Sequence, residues 1–252
     1  MTIFQSIILG LVQGIAEWLP ISSDGHLVVA EHLLKVTVPI EFDIFLHLGS
    51  LLVLLFFFRK EIKEIFLNFF QAKKYPSPTY QNWAWYLLLS TIVTGIIGLF
   101  LYQSIEEFRN VEAAAFGLLI TSAFLLSVFW SKEKKTLTWQ IALILGLVQG
   151  LAALPGISRS ALVISTALFL GLNKKQAFDF AFLLAIPAIV GAFLLSWDNF
   201  VWHSQYLLAI LVTIISGYFA LVLLKKLVLK NYFPWFFVYT SLLALFIFIF
   251  LS

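Results

Sequence analysis

The 252-residue chain has no cysteine, a single methionine and little charge: only 12% of its residues are Asp, Glu, Lys or Arg. The missing thiols exclude disulfides, thiolate nucleophiles and cysteine-based metal centres. The scarcity of charge, set against 62% hydrophobic residues and 27 phenylalanines, excludes a soluble globular domain and implies an all-α polytopic membrane protein. A formal charge of +3 is no nucleic-acid signal here. The basic residues sit in short clusters between apolar runs, where the positive-inside bias accounts for them. Before Glu17 there is neither a basic n-region nor a small-residue cleavage site, so no removable signal peptide is expected.

What the chain does contain is a duplication. Ile8-Leu9-Gly10-Leu11-Val12-Gln13-Gly14 recurs letter for letter as Ile144-Leu145-Gly146-Leu147-Val148-Gln149-Gly150. The same offset aligns Ala16 with Ala152, Ile21 with Ile157, Ser22 with Ser158, and Phe42-Asp43 with Phe178-Asp179. A register held over so long a stretch marks a repeated structural unit. The copies differ in their polar residues. Glu17, Ser23, Asp24 and His26 in the first face Ala153, Arg159, Ser160 and Leu162 in the second.

Six apolar stretches approach or reach the ~20 residues that a bilayer crossing needs: Ile44 to Phe58 with its flanks, Trp83 to Tyr102, Val111 to Trp130, Phe178 to Ser196, Tyr206 to Leu224 and Phe233 to Leu251. Four shorter ones form two broken pairs, Ile3 to Leu19 with Ile21 to Leu34 around Pro20, and Trp139 to Leu154 with Ile157 to Gly171 around Pro155-Gly156. Proline removes a backbone donor and disfavours helix in the residue before it, so each pair reads as two re-entrant half-helices around a bend. Broken segments at matching places in two repeats point to a site near the membrane midplane.

Three crossings between the copies is an odd number, so the repeats are expected to be inverted. This gives one membrane domain over 1–252, with repeat one at about 1–102, a linking helix at 111–130, repeat two at about 138–230 and a final helix at 233–251. The same count puts Arg59, Lys60, Lys63, Lys73, Lys74, Lys132, Lys134, Lys135, Lys174, Lys175, Lys225, Lys226 and Lys230 on one side, with Lys35 and Arg109 on the other. That asymmetry assigns the first group to the cytoplasm, and both termini and the first bend to the outside. Lys63 to Phe70 is amphipathic and suits the cytoplasmic surface.

Ionisable groups in an apolar context are costly and therefore functional candidates. Gln13 and Glu17 lie one helical turn apart and share a face. Ser23 and His26 are three apart, a spacing that lets an imidazole approach a hydroxyl at a helix start. Ser22 and Ser23 precede an apolar run, where hydroxyls and unpaired N–H groups favour an anion. Pro155-Gly156-Ile157-Ser158-Arg159-Ser160 offers a second helix start with a guanidinium suited to bidentate phosphate binding. Two such bends brought together would join a phosphate cradle to a Glu, Ser and His set, and the guest that fits is a phosphoryl group.

These motifs resemble those of the undecaprenyl-pyrophosphate phosphatases, also known as bacitracin-resistance proteins. Glu17-Trp18-Leu19-Pro20-Ile21-Ser22-Ser23-Asp24-Gly25-His26 and Pro155-Gly156-Ile157-Ser158-Arg159-Ser160 carry the resemblance, and Phe42-Asp43 through Leu48-Gly49-Ser50 extends it. The resemblance implies a plasma-membrane enzyme that removes the terminal phosphate of a polyprenyl diphosphate, releasing the monophosphate carrier for cell-wall glycan assembly. It also implies a divalent cation, Mg²⁺ or Ca²⁺, an outward-facing site, and a chain that can form a homodimer. By motif position Glu17, Ser23, His26 and Arg159 are the implied catalytic residues, with Glu17 also the cation ligand. Ser22, Ser158 and Ser160 join Arg159 as phosphate contacts, and Gln13, Asp24 and Asp43 support them. Asp24 departs from the usual Ser or Thr, and Ala16 and Ala161 from the usual Thr and Gly. A carboxylate at 24 would repel phosphate unless a cation or Arg159 neutralises it.

Blander roles exist for the same residues. Ser22 and Ser23 also suit helix caps, and Glu17 suits half of a structural ion pair with Arg159. His32 and His47 read as hydrogen-bonded or interfacial histidines, and Asp43 and Asp179 as caps or span ends. The alternative function is a lipid or anion transporter, since inverted repeats with broken helices also support alternating access.

Overall fold

The computed structural model describes residues 2–71, 80, 82–102, 108–196 and 204–251; Lys73 and Lys74 lie outside them. The chain begins with α1 (Ile3–Ala16), α2 (Ser23–Leu34), α3 (Ile40–Phe57), α4 (Arg59–Gln71) and α5 (Trp83–Tyr102). After α6 (Val111–Ser127) come α7 (Trp139–Leu151), α8 (Arg159–Phe169), α9 (Lys174–Ser196), α10 (Ser204–Leu229) and α11 (Phe236–Phe250). Caps of the expected kind start several of them. Thr2 and Gln5 form a reciprocal capping box on α1, Asn110 accepts from Ala113 N–H, and Thr138 accepts from Ile141 N–H.

Helices within Trp83–Leu101, Val111–Trp130, Lys174–Leu195, Tyr206–Leu229 and Phe233–Phe250 are long and apolar enough to cross a bilayer, so the protein is an all-α, multi-pass membrane protein. A sixth span arises only by joining α3 to α4, which meet at a 71° bend. The apolar run stops at Phe58, and Arg59 folds back there: its guanidinium lies 4.6 Å over the Phe56 ring and Nη1 donates to Phe56 O at 2.7 Å. By contrast α1, α2, α7 and α8 have 14, 12, 13 and 11 residues. At about 1.5 Å per residue none of these four reaches across a ~30 Å core.

The duplication in sequence is a duplication in contacts. α1 packs chiefly on α10, and its counterpart α7 on α5. Thr213 donates to Gly10 O at 3.0 Å, and Thr94 donates to the equivalent Gly146 O at 3.0 Å. A Cβ at either glycine would sit 2.5 to 2.6 Å from a carbonyl oxygen of the partner helix, which is why both positions carry none. Phe57 and Phe58, at the end of α3, pack on Phe178 near the start of α9.

Two ends of the molecule are chemically distinct. At one, Lys134 and Lys135 donate their amides to Gly171 O, Lys174 pairs with Glu133 at 3.4 Å, and Lys225 lies over the Phe57 and Phe178 rings. At the other, Arg109 ties together Glu31 of α2, Val38 O and Asp43 of α3. Between them, Trp18, Phe58, Phe178 and Phe182 are fully buried in the largest apolar cluster. Trp18 belongs to the first bend and packs on Phe182 with the rings tilted, centroids 5.5 Å apart. The core thus holds that bend from beneath.

Candidate active site

The two proline-marked bends meet. A Cβ on Gly25 would stand 3.1 Å from Gly156 Cα, and Ser160 donates its hydroxyl to Leu19 O at 3.3 Å. Gly156 has φ +81°, and a side chain there would strike Ala114 O of α6 at 2.1 Å. Thr121 of α6 pins the same bend, donating to Gly156 O at 3.1 Å and accepting from Ser158 N–H at 2.9 Å. In the first bend Ser22 takes φ +69°, an uncommon conformation for a residue with a side chain, and its hydroxyl accepts from Gly25 N–H at 3.1 Å.

Where the bends meet, Glu17 is buried and surrounded by donors. Arg159, the first residue of α8, holds Oε1 through Nη2. Oε2 accepts from Ser23 Oγ at 2.7 Å and from Gln13 Nε2 at 3.2 Å. A third donor comes from α3, where His47 Nε2 lies 3.2 Å from the same oxygen. The other ring nitrogen of His47 faces Asp43 O at 2.8 Å. Both nitrogens therefore face acceptors. With Arg159, Ser23 and Gln13 all donating to Glu17, the partners assign His47 as a donor at both. Glu17, Ser23, His47 and Arg159 line a cavity of about 530 Å³, which runs between α5 and α9 past Leu99 and Leu194.

Of the residues expected from sequence, Gln13, Glu17, Ser23 and Arg159 come together, and Ser22, Asp24, Asp43 and Ser158 line the same cavity. Ser158 caps α8, accepting from Ala161 N–H at 3.2 Å, and lies 3.2 Å from Ser160 Oγ. Ser160 is turned toward Leu19 O rather than the cavity. The expected approach of His26 to Ser23 is not made. His26 Nδ1 bonds Ser22 O at 2.7 Å, and Nε2 bonds the hydroxyl of Tyr239 in α11 at 2.8 Å, with the rings stacked. One neutral tautomer satisfies both partners, so His26 is fully bonded on the far side of the bend.

Sequence reasoning passed over two residues. His47, set among the structural histidines, stands against Glu17, and Arg109, read only as a topology marker, lines the cavity and pairs with Asp43 Oδ2 at 2.6 Å and Glu31 at 2.5 Å. The available signal was spacing: Asp43 and His47 are one turn apart on a helix that starts with acids.

Two kinds of polar atom are left over. Arg159 Nη1 is a buried donor without a partner among the described residues, as expected of a group kept for an anion. Asp43 Oδ1 is a buried acceptor without one, and Asp24 makes no hydrogen bond or ion pair among them. No group of three or more His, Asp or Glu among the described residues is arranged to hold a metal ion by itself. Glu17, expected as the cation ligand, has both oxygens engaged by donors. Asp24 and Asp43 are the freer carboxylates.

Residues 6–246 match a family model described as "Bacitracin resistance protein BacA". The chain is similar to proteins named undecaprenyl-diphosphatase. One from Methanosphaera stadtmanae is 37% identical over 251 residues, covering 90% of each chain. One from Thermosipho africanus is 37% identical, covering 95% of this chain and 96% of the relative. One from Treponema denticola is 39% identical, covering 92% and 90%.

Proposed function

The chain belongs to the bacitracin resistance protein BacA family, and on that footing we propose that it is an integral-membrane phosphatase that removes the terminal phosphate of undecaprenyl diphosphate, leaving the monophosphate lipid carrier for cell-wall glycan synthesis. The names of its relatives favour this reading over transport. The observation that carries it is the composite site: Ser23 of one bend donates to Glu17, whose other oxygen is held by Arg159 of the second bend.

In this reading Arg159, through the Nη1 that has no partner among the described residues, and the N–H groups opening α2 and α8 hold the diphosphate. Ser23 Oγ attacks the terminal phosphorus as its proton passes to Glu17 Oε2. The bond from that phosphorus to the bridging oxygen breaks, and its electron pair leaves on the lipid monophosphate. Water then cleaves the phosphoserine, releasing inorganic phosphate and restoring the hydroxyl. The apolar stretch of the cavity beside Leu99 and Leu194 suits the first isoprene units of the tail.

A divalent cation, Mg²⁺ or Ca²⁺, is part of the proposal. Its support is the pair of freer carboxylates, Asp24 and Asp43, at the cavity wall. Mg²⁺ needs only one or two carboxylates beside phosphate oxygens and water, and it would offset substrate charge there. The proposal also takes α1–α2 and α7–α8 as re-entrant pairs in inverted repeats. Their short helices, the packing of the end of α3 on the start of α9, and the lysine-rich end support this, with that end in the cytoplasm and the Arg109 end outside. The homodimer implied by resemblance belongs to the same reading.

The test is phosphate release from a C55 polyprenyl diphosphate by the purified chain, with Mg²⁺, Ca²⁺ or chelator. Metal-dependent release that is lost in Arg159→Ala is expected. A wild-type chain that binds the lipid but releases no phosphate under any metal would return the assignment to transport.

A further inference from the structure

We infer that His47 is a positioning residue for hydrolysis: by donating to Glu17 it holds that carboxylate turned to receive the Ser23 proton. The inference rests on the phosphatase reading above.

The need for such a donor follows from the geometry of Glu17. A buried carboxylate needs donors at its oxygens, and as a base it must keep one oxygen turned to its proton source. Oε1 belongs to Arg159, which also has to serve the substrate. When a phosphate draws the guanidinium toward itself, Glu17 loses part of that support at the moment it has to accept a proton. Oε2 then depends on Gln13, a neutral amide at 3.2 Å, and on His47 at 3.2 Å. Of these two, His47 alone lines the cavity and is fixed from behind, its Nδ1 bonded to Asp43 O at 2.8 Å. Asp43 in turn is clamped by Arg109 at 2.6 Å. The support for the base therefore extends from the rim of the cavity through α3 to Oε2. His26 has no share in it, because both its ring nitrogens are committed to Ser22 O and Tyr239.

The role separates from simple packing because a glutamine amide can donate to Oε2 whereas an isosteric leucine cannot. The experiment is kcat and KM for polyprenyl diphosphate hydrolysis by the full chain, its His47→Gln and its His47→Leu variants, with thermal unfolding of each. A hydrogen bond to a charged group has a value that corresponds to roughly tenfold to a hundredfold in rate. His47→Leu is expected to lose kcat by that factor with KM within about threefold, and His47→Gln to recover most of it. If His47→Leu does not fold, His47→Gln alone decides: kcat near wild type supports the inference, and a loss as large as that of Ser23→Ala overturns it. Leucine and glutamine variants that are equally impaired overturn it, as does a leucine variant with wild-type kcat. An inactive wild-type chain overturns the phosphatase reading first, and this inference with it.

Discussion

Asp43 and Asp179 occupy the same place in the sequence duplication but take their cations from different places. Asp43 reaches Arg109 of another segment at 2.6 Å, whereas Asp179 takes Lys175 of its own helix at 2.6 Å. Arg109 also holds Glu31, so removing it leaves two largely buried carboxylates without their cation. Arg109→Ala is expected to destabilise the chain by about 3 to 5 kcal/mol, the usual cost of breaking a buried pair from one side. Detergent-phase thermal unfolding checks this. Asp43→Asn in the Arg109→Ala background is expected to recover part of the loss, because it removes one stranded charge.

Arg159 holds Glu17 and presents an Nη1 that has no partner among the described residues. Lysine keeps the charge but not the fork. Arg159→Lys is therefore expected to retain measurable phosphate release at a kcat/KM reduced by about tenfold or more, and Arg159→Ala to fall further. Equal activity in the lysine variant and wild type would show that charge alone suffices.

Thr121 bonds both Gly156 O and Ser158 N–H. Thr121→Val keeps the shape and strands two buried backbone groups, at about 1 to 3 kcal/mol each. The expected outcome is a lower unfolding temperature together with a higher KM, because the phosphate-binding bend loses its brace.

Much of this arrangement can be read from the sequence, and the rest is lost for identifiable reasons. Pro20 and Pro155-Gly156 announce the bends because proline acts on the local backbone, and the duplicated run from Ile8 to Gly14 announces equivalent packing. The Glu17–Arg159 pair was within reach because isolated charges in apolar sequence need partners. The orientation of His26 was not. Its spacing from Ser23 permits an approach, but Tyr239, 213 positions away, supplies the stronger partner through tertiary packing. His47 escaped for the same reason, since nothing local says that α3 brings it to Glu17.

Asp24 and Asp43 line the cavity and are freer to meet a cation than Glu17. Asp24→Asn is expected to raise the Mg²⁺ concentration for half-maximal phosphate release by about fivefold or more, and to weaken Mn²⁺ binding seen by electron paramagnetic resonance. An unchanged metal titration by both methods would place the cation elsewhere.

Tyr239→Phe leaves the His26 bond to Ser22 O in place and removes only the outer contact. It is expected to cost threefold or less in kcat, whereas His26→Ala frees the backbone next to Ser23 and is expected to cost about tenfold or more. Steady-state rates of the two variants side by side check the order.

The most direct measurement is an acid quench of the enzyme during turnover of polyprenyl diphosphate, followed by peptide mapping of the phosphoryl group. Phosphate on Ser23, absent in Ser23→Ala and much reduced when Glu17 is replaced by Gln, which removes the acceptor of the Ser23 proton, is the expected result. Full turnover by Ser23→Ala, or phosphate found on His26 or His47 instead, would contradict a serine activated by Glu17 at the meeting of the two bends.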